Sequence, residues 1–219
     1  MIPLQIKRAV FWTCGLQNYF LATALYRVAQ GCERTYQESL PDLPPGGLLL
    51  DIGANLGVTV AFARRRRADL KVAAFEPIPT NVAAAKRLWR VLRVNAVEFE
   101  PIALGDSVGN VEMVMPIFQG LTAPGQTYVK NGEYDYSSVL GDNGIEFTAS
   151  VATIDSLQLP RVHGIKLDVE NFEWHVLCGA RELLKRDHPV ITASFGTLRT
   201  VARVWSYSAS AVTDVRSLP

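Results

Sequence analysis

From residue 45 onward, short apolar runs alternate with longer segments of helical periodicity. A turn-rich linker, PDLPPGG at 41–47, precedes the first run. Apolar runs bounded by turn residues are typical of buried strands, and longer segments with a period of 3.6 are typical of helices. The pattern predicts strands near 47–51, 72–76, 97–104, 164–168 and 189–194, and helices near 56–67, 79–93 and 172–186.

The order of these elements predicts the fold class. Alternating strands and helices imply an α/β fold with a mostly parallel sheet, right-handed crossovers and helices on both faces. Open sheets of this kind bind ligands beyond the carboxyl ends of their strands, at the point where the strand order reverses. We therefore expect any chemistry to lie at that edge.

Residues 106–152 break the alternation. GNVEMVMP and IEFTASVATI have the pattern of strands, and a loop rich in glycine, tyrosine and serine separates them. An insertion of this kind is more often a substrate-side lid or wall than a separate domain. Its polar and aromatic side chains are suited to stacking on and hydrogen-bonding a sugar or an aromatic acceptor: Tyr128, Tyr134, Tyr136, Ser137 and Ser138.

The N-terminal residues 1–44 form an extension before the domain at 45–219. Lys7 and Arg8 precede an apolar stretch that Gln17 and Asn18 interrupt and Arg27 closes. Its uninterrupted run is far below the roughly 20 residues that span a bilayer. We predict a packing helix here and no transmembrane segment, and a membrane-associated or targeting role is the alternative.

Composition narrows the class of protein. A chain of 219 residues with 48% apolar residues, 20% charged residues and a net charge of +1 is typical of a globular protein of one domain with an extension.

The basic run Arg64–Arg67 lies at a predicted helix C-terminus, where positive charges interact favourably with the helix dipole, so we predict no nucleic-acid partner. Cys14, Cys32 and Cys178 are widely separated and have no zinc-ligand spacing, which indicates a reducing, cytoplasmic setting.

The loop after the first predicted strand carries the main ligand motif. In LDIGANLG, Gly53 and Gly57 let the backbone approach a ligand, and the next helix presents its N-terminus. Glu76 ends the second strand, nineteen residues after Gly57, where a carboxylate can accept hydrogen bonds from ribose hydroxyls. These features together predict a nucleoside cofactor, although a glycine pair that only makes a tight turn is the plainer alternative.

The loop spacing distinguishes between nucleoside cofactors. A P-loop would need Gly-Lys-Ser/Thr after Gly57, and a dinucleotide fold would prefer GxGxxG, whereas this loop is GxxxG with the bulky Asn55 inside. Adenosine with a short charged tail suits it better, and S-adenosylmethionine is such a ligand. An NAD-dependent oxidoreductase and a non-catalytic binding module with this fold remain the alternatives.

Five segments between about 45 and 187 resemble one known family. They are LLLDIGANLGVTVAFA, VAAFEPIPTNVAAAKR, PIALGDSVGNVEM, VATIDSL and GIKLDVENFEWHVLCGARELL. In this order they are similar to the FkbM family of S-adenosylmethionine-dependent methyltransferases. The resemblance implies a Rossmann-like class I methyltransferase fold. It also implies methyl transfer, commonly to a hydroxyl oxygen of a small molecule or glycan.

The resemblance also implies roles for individual residues. It singles out Lys166, Asp168, Glu170 and Glu173 as the family's characteristic cluster. It implies cofactor contacts for Asp51, Gly53, Asn55, Gly57 and Glu76, and to these we add Ala54 and Asp168 as predicted contacts.

The segment GIKLDVE also predicts a buried cation. Strand alternation puts Lys166, Asp168 and Glu170 on one face. A buried ammonium is costly unless it is paired, so we expect Lys166 to meet Asp168 or Asp51. An ion pair that merely fixes the sheet is one interpretation. The other is that Asp168 borders the reaction pocket.

Methyl transfer is an in-line displacement, which needs donor and acceptor held together and a base for the hydroxyl proton. Asp168 is the first candidate base, followed by His175 and Glu170. A divalent cation held by Asp168 and Glu170 is an alternative that we do not favour, since two carboxylates alone are not a site. His163 and His188 precede their strands, which puts them roughly 16 Å from the carboxyl edge.

Two departures from the family pattern stand out. Asn171 replaces the usual glycine, but asparagine tolerates left-handed backbone, so the turn is expected to survive. The tail from about 195 is atypical and has too few residues for a further helix and a final strand pair. We expect the sheet to be incomplete at its C-terminal strands, and an unpaired edge would favour homo-oligomers.

Overall fold

The structure is a computed structural model that describes residues 19–29, 43–118, 121–130, 143–194 and 215–217. Its strands are β1 Leu48–Ile52, β2 Lys71–Phe75, β3 Val97–Glu100, β4 Ala103–Leu104, β5 Gly109–Phe118, β6 Leu121–Thr122, β7 Tyr128–Val129, β8 Gly144–Ala152, β9 Gly164–Leu167, β10 Val190–Ala193 and β11 Val215–Ser217. Its helices after the N-terminal segment are α1 Val58–Arg66, α2 Pro79–Val91, α3 Glu173–Cys178 and α4 Arg181–Asp187.

Six strands form the main sheet in the order β11-β10-β9-β1-β2-β3. Every neighbouring pair in it is parallel, which confirms the predicted α/β class. The chain starts at β1, moves outward through β2 and β3, and later returns to the other side of β1 with β9. The strand order therefore reverses between β1 and β9, where ligands bind in folds of this type.

Apolar side chains cover both faces of the main sheet, as predicted. On one face Leu50 and Leu167 pack with Val176 and Leu184 from α3 and α4. On the other face Leu49 joins residues from α1 and α2 in a second cluster. Helices on both faces explain why β1 is buried along its whole length.

Residues 19–29 are helical and belong to the second cluster. Phe20 is 3% exposed and Ala24 is fully buried, so this segment is a packing helix as predicted. Within the ranges that the structure covers, no helix is both long enough and apolar enough to cross a membrane.

The predicted insertion builds a second sheet in the order β4-β8-β5-β6, and β7 pairs with β5. β5 and β8 are antiparallel and correspond to the two strands predicted there. The predicted strand at 97–104 is wrong as a single element, because β3 lies in the main sheet and β4 in the second. Pro101 separates them and has no N–H to continue a ladder. Tyr134, Tyr136, Ser137 and Ser138 lie outside the described residues.

The helix predicted at 172–186 is two helices, α3 and α4. At Gly179, which follows α3, an added Cβ would lie 1.9 Å from the carbonyl oxygen of Gly105. The backbone of another segment therefore approaches where a longer helix would carry a side chain. Asp155 then accepts hydrogen bonds from the backbone N–H groups of Glu182 (3.0 Å) and Leu183 (2.9 Å), which caps the start of α4.

At the C-terminal end, β11 pairs in parallel with β10. This edge of β10 is therefore covered over Ile191–Ala193. Residues 195–214 of the atypical tail lie outside the described residues, so the expected incompleteness of the sheet concerns a region that the structure does not describe.

The turn from β1 into α1 depends on Gly57. Its φ is +73°, and the indole Nε1 of Trp89 donates a hydrogen bond of 2.8 Å to its carbonyl oxygen. A Cβ here would lie 2.6 Å from that Nε1 atom. Gly46 has a similar φ of +70°, but an added Cβ would meet nothing within 4 Å.

We therefore expect Gly57→Ala to destabilise the protein more than Gly46→Ala does. In both variants the new alanine must adopt left-handed backbone, which lowers the free energy of unfolding by about 1 kcal/mol. Only Gly57→Ala adds overpacking against Trp89, about 1–3 kcal/mol. Denaturant unfolding of both variants measures the difference, and equal losses would contradict the role assigned to Trp89.

Candidate active site

A cleft of about 630 Å³, counting the solvent space at its mouth, opens at the carboxyl ends of β1, β2 and β9. We call it the main cleft. Its lining includes Gly53, Asn55, Glu76, Ile78, Ile102, Thr127, Val129, Asp168, Glu170 and Phe172. The predicted edge of the sheet therefore carries a cleft, and the insertion supplies part of its wall.

A smaller cleft of about 270 Å³ lies on the other side of the β1 loop, and we call it the side cleft. Arg27, Ala54, Thr59 and Lys166 are among its lining residues, and Gly53, Asn55 and Asp168 line both clefts. Of the residues predicted to contact a cofactor, Asp51 and Gly57 lie outside the described lining of the two clefts.

Gly53 lets the β1 loop pass between β2 and β9. Its φ is +76°, and a Cβ would lie 2.0 Å from the carbonyl oxygen of Asp168. The N–H groups of Gly53 and Ala54 both donate to the carbonyl oxygen of Phe75 at 3.0 Å. The loop is therefore held by backbone contacts on both sides, which only glycine permits at this position.

Glu76 is 4% exposed and holds the loop from the end of β2. Its Oε2 accepts a hydrogen bond from Asn55 N (2.8 Å), and its Oε1 accepts from Ile78 N (3.0 Å) and Asn81 Nδ2 (3.3 Å). Burial raises the pKa of Glu76 to about 7 despite these donors. The carboxyl lies in the lining of the main cleft, and its contact with a ribose remains a prediction.

Lys166 is 5% exposed and pairs with carboxylates, as predicted. Its Nζ lies 3.1 Å from Asp51 Oδ1 and 3.7 Å from Asp168 Oδ2, and it donates a 2.8 Å hydrogen bond to the carbonyl oxygen of Gly53. The register of β1 and β9 pairs Asp51 with Lys166, so the two side chains share a face. Burial raises the pKa of Asp51, and the Lys166 charge opposes that shift.

After β9 the backbone turns sharply at Glu170 and Asn171, whose φ values are +51° and +70°. Asn171 thus adopts the left-handed conformation expected where the family has glycine. Glu170 lines the main cleft, as does Asp168, whose side chain is 37% exposed. Burial, and secondarily the Asp168 charge, raise the pKa of Glu170 to about 7.

Glu173 lies beneath this turn and is 1% exposed. Its Oε1 accepts a 3.1 Å hydrogen bond from Val169 N, which fixes the turn to α3. Burial raises the pKa of Glu173 to about 7.

His175 packs against Phe172, with ring centroids 4.4 Å apart. Its Nδ1 lies 2.6 Å from Asp106 Oδ2, and Phe172 is the member of this stack that lines the main cleft. His163 accepts a 3.1 Å hydrogen bond from Leu48 N at the opposite end of β1, and His188 follows α4. The structure therefore places Asp168 and Glu170 in the lining of the main cleft. The described lining includes Phe172, on which His175 stacks, but not His175 itself.

The basic run at the end of α1 contacts its own surroundings. Arg64 donates to the carbonyl oxygens of Ala68 and Leu70, and Arg67 forms a 2.8 Å ion pair with Asp69. Among the residues that the structure covers, no group of three or more histidine, cysteine or acidic side chains is arranged to hold a metal ion.

Sequence reasoning did not identify several lining residues, among them Ile102 and Thr127. Thr127 is 7% exposed and follows a short turn at Pro124–Gln126. Its hydroxyl has no hydrogen-bond partner among the described residues. The Pro-Gly dipeptide signals that turn, but nothing in the sequence indicates that the turn reaches the cleft.

The main cleft lies at the reversal point of a parallel sheet, where α/β domains bind their ligands, and a glycine loop and a buried acidic residue form part of it. Residues 51–211 match the family model described as the methyltransferase FkbM domain. The chain therefore belongs to the FkbM family of S-adenosylmethionine-dependent methyltransferases.

Two relatives illustrate the similarity. The chain is 29% identical over 177 residues to 31-O-demethyl-FK506 methyltransferase FkbM of Streptomyces tacrolimicus, covering 68% of this chain and 65% of that protein. The crystal structure of methyltransferase FkbM from Methylobacillus flagellatus KT matches 88% of this chain and 48% of its own, with a TM-score of 0.55 and 16% identity. The chain spans less than two thirds of the length of either protein, and the structural match supports the fold.

The buried Glu173 predicts a pH dependence of stability. Its folded pKa of about 7 lies above the ordinary pKa of 4.5 for glutamate, so between these values the folded state holds a proton that the unfolded state releases. The free energy of unfolding therefore falls as pH rises through this window. We expect Glu173→Gln to gain stability relative to the wild type between pH 4.5 and 8, by on the order of 1–3 kcal/mol.

Denaturant unfolding across this pH range measures the effect. Glu98→Gln, at an exposed position on β3, is the control and should follow the wild-type curve. If the difference in free energy of unfolding between Glu173→Gln and the wild type did not change with pH, the raised pKa assigned to Glu173 would be contradicted.

Proposed function

We propose that this protein is an S-adenosylmethionine-dependent methyltransferase that methylates a hydroxyl oxygen on a small molecule or glycan. The observation that carries the proposal is the main cleft of an FkbM family member. In it a GxxxG loop and a buried carboxyl meet at the reversal point of the sheet. The cytoplasmic setting inferred from the cysteines belongs to the same proposal.

The lining of the main cleft suits the nucleoside part of this cofactor. Ile78 and Ile102 offer apolar walls for a base, and the carboxyl of Glu76 lies beside the backbone of Asn55. When bound, the cofactor supplies a methyl group on a sulfonium, which makes that carbon open to attack by an oxygen. The protein's own part is to hold the acceptor oxygen in line with it and to take its proton.

Glu170 is the proton acceptor that we propose first, ahead of Asp168 and His175. A general base works best when its pKa lies near the working pH, and the pKa of Glu170 is raised to about 7. Asp168 lies 3.7 Å from Lys166, so part of its charge is engaged in that pair. His175 is stacked on Phe172 and held by Asp106.

An oxygen acceptor is supported by the relative whose name, 31-O-demethyl-FK506 methyltransferase, refers to an O-demethyl compound. Thr127 and Val129 belong to the insertion and line the main cleft. We propose that this wall contacts the acceptor, which would leave the β1 loop for the cofactor.

Ligand titration tests the cofactor. We expect micromolar binding of S-adenosylmethionine and S-adenosylhomocysteine and no comparable binding of NAD. Glu76→Gln should weaken the binding of S-adenosylhomocysteine about 10-fold or more, because it replaces an oxygen that accepts hydrogen bonds with an amide donor. Glu98→Gln should bind as the wild type does.

Thermal unfolding of each variant separates lost binding from lost folding. Selective binding of NAD, or no binding by folded protein, would contradict the proposal. Cofactor binding without transfer to any member of a panel of hydroxylated small molecules and glycans would favour a non-catalytic binding module instead.

The pH dependence of transfer tests the base. At saturating cofactor we expect the single-turnover rate to rise with pH through about 7, because Glu170 must be ionised to accept the proton. Glu170→Gln should lower the rate about 10²–10⁴-fold and remove this rise. A variant that keeps both the rate and the pH profile would exclude Glu170 as the base.

A further inference from the structure

The helices α1 and α2 carry positive charges and no negative ones. Residues 58–67 and 79–93, which contain these helices, include eight lysine and arginine residues and no aspartate or glutamate. The whole chain has a net charge of only +1, so the rest of it is net negative. On the other face of the main sheet, α3 and α4 together have three acidic residues and three lysine or arginine residues. Charge is therefore segregated to one side of the sheet.

The C-terminal ends of α1 and α2 lie close together at the amino edge of the main sheet. Arg64 Nη2 at the end of α1 donates a 2.9 Å hydrogen bond to Asn95 Oδ1, after the end of α2. Val72 N on β2 bonds the carbonyl oxygen of Ala96, just before β3. We call the exposed cations on these helices and at this edge the basic face: Arg65, Arg66, Lys71, Lys86, Arg90 and Arg93.

The acidic residues close to this edge in sequence do not offset the basic face. The carboxylate of Asp69 is held by Arg67 at 2.8 Å and by the N–H of Gly46 at 3.1 Å. Glu98 is exposed on β3, but its neighbours Val97 and Phe99 pack with α1 and α2 in the second cluster. Strand alternation therefore puts Glu98 on the opposite face of the sheet. Within the part of the chain that the structure describes, the basic face thus offers positive charge to an external anion.

An apolar side chain lies among these cations. Val91, the last residue of α2, is 57% exposed and stands between Arg90 and Arg93 in the sequence. The helical segment 19–29 packs on the same face of the sheet, and the sequence that leads into it, KRAVFW at 7–12, joins two cations to aromatic and aliphatic residues. Cations beside exposed apolar groups match the boundary between lipid headgroups and acyl chains. A phosphate polymer such as a nucleic acid would gain nothing from the valine.

We propose that the basic face docks this protein on an anionic membrane surface, with Val91 entering the headgroup region. The clefts open at the opposite, carboxyl edge of the sheet. At about 3.3 Å per residue, the five residues of β1 separate the two edges by roughly 16 Å. Docking through the basic face therefore leaves both clefts open to solvent. The inference is independent of the reaction that takes place there.

Vesicle co-sedimentation tests the docking. We expect binding to vesicles of equal parts phosphatidylcholine and phosphatidylglycerol, a loss of binding as salt rises, and little binding to phosphatidylcholine alone. The triple variant Arg65→Gln/Arg90→Gln/Arg93→Gln removes three charges and keeps the helix propensity nearly unchanged. Because each cation near such a surface contributes about fivefold to partition, this variant should bind on the order of 10²-fold more weakly.

A matched variant controls for net charge. Lys130→Gln/Arg181→Gln/Lys185→Gln removes three charges from exposed positions on the insertion and on α4. It should bind the vesicles within about twofold of the wild type, because charges beyond a Debye length from the membrane are screened. Val91→Ser should weaken vesicle binding about threefold through lost apolar burial.

Each result decides a part of the proposal. No binding of the folded wild type to the anionic vesicles, equal losses for the two triple variants, or full binding of the basic-face variant would overturn the docking. Unchanged binding of Val91→Ser would exclude the entry of this side chain. Tighter binding of a duplex oligonucleotide than of the vesicles at the same salt, lost in the basic-face variant, would make the partner a nucleic acid instead.

A separate titration keeps the docking apart from the proposed function. The basic-face variant should bind S-adenosylhomocysteine as the wild type does, because its three substitutions lie outside both clefts. Its thermal unfolding midpoint should also stay close to the wild-type value. Loss of S-adenosylhomocysteine binding by this variant would contradict the separation of the basic face from the clefts.

Discussion

The site depends on the contacts that the buried ammonium group of Lys166 makes. It joins three parts of the chain, because it contacts Asp51 on β1, the carbonyl of Gly53 in the β1 loop and Asp168 after β9. Removing two charges from water is costly, and a buried pair is favourable only when further polar contacts satisfy it. The carbonyl of Gly53 is such a contact. The position of the β1 loop, which lines both clefts, is therefore held by the contacts of one lysine.

Burial also raises the pKa values of three acidic residues in or next to the main cleft. The pKa values of Glu76, Glu170 and Glu173 are each raised to about 7, mainly because desolvation disfavours the carboxylate. Three groups that exchange protons near neutrality make the local charge sensitive to whatever else enters the site. A cationic ligand such as the sulfonium of the proposed cofactor would favour their ionised forms, whereas an anion would favour their protonated forms.

Sequence patterns gave the main sheet and the cluster around Lys166 because both depend on local periodicity and chain order. Alternation along GIKLDVE put Lys166 on the same face as Asp168, and the parallel register of β1 and β9 pairs Lys166 with Asp51. Features set by contacts distant in sequence were missed. The helix break at Gly179 depends on the carbonyl of Gly105, and the backbone N–H of Asn55 that donates to Glu76 lies 21 residues earlier in the chain. The side cleft could not be predicted, since it needs the N-terminal segment to pack beside the β1 loop.

The position of β1 in the middle of the main sheet affects how the chain can assemble. β2 follows β1 closely, but on its other side β1 pairs with β9, where Leu49 lies opposite Gly164. The hydrogen bond from Leu48 N to the His163 ring at the same boundary spans 115 residues of sequence. At ribosomal rates this separation corresponds to on the order of ten seconds of synthesis. Until β9 emerges, β1, which is buried along its whole length in the folded protein, has one open edge, so the nascent chain is exposed to mispairing during that interval.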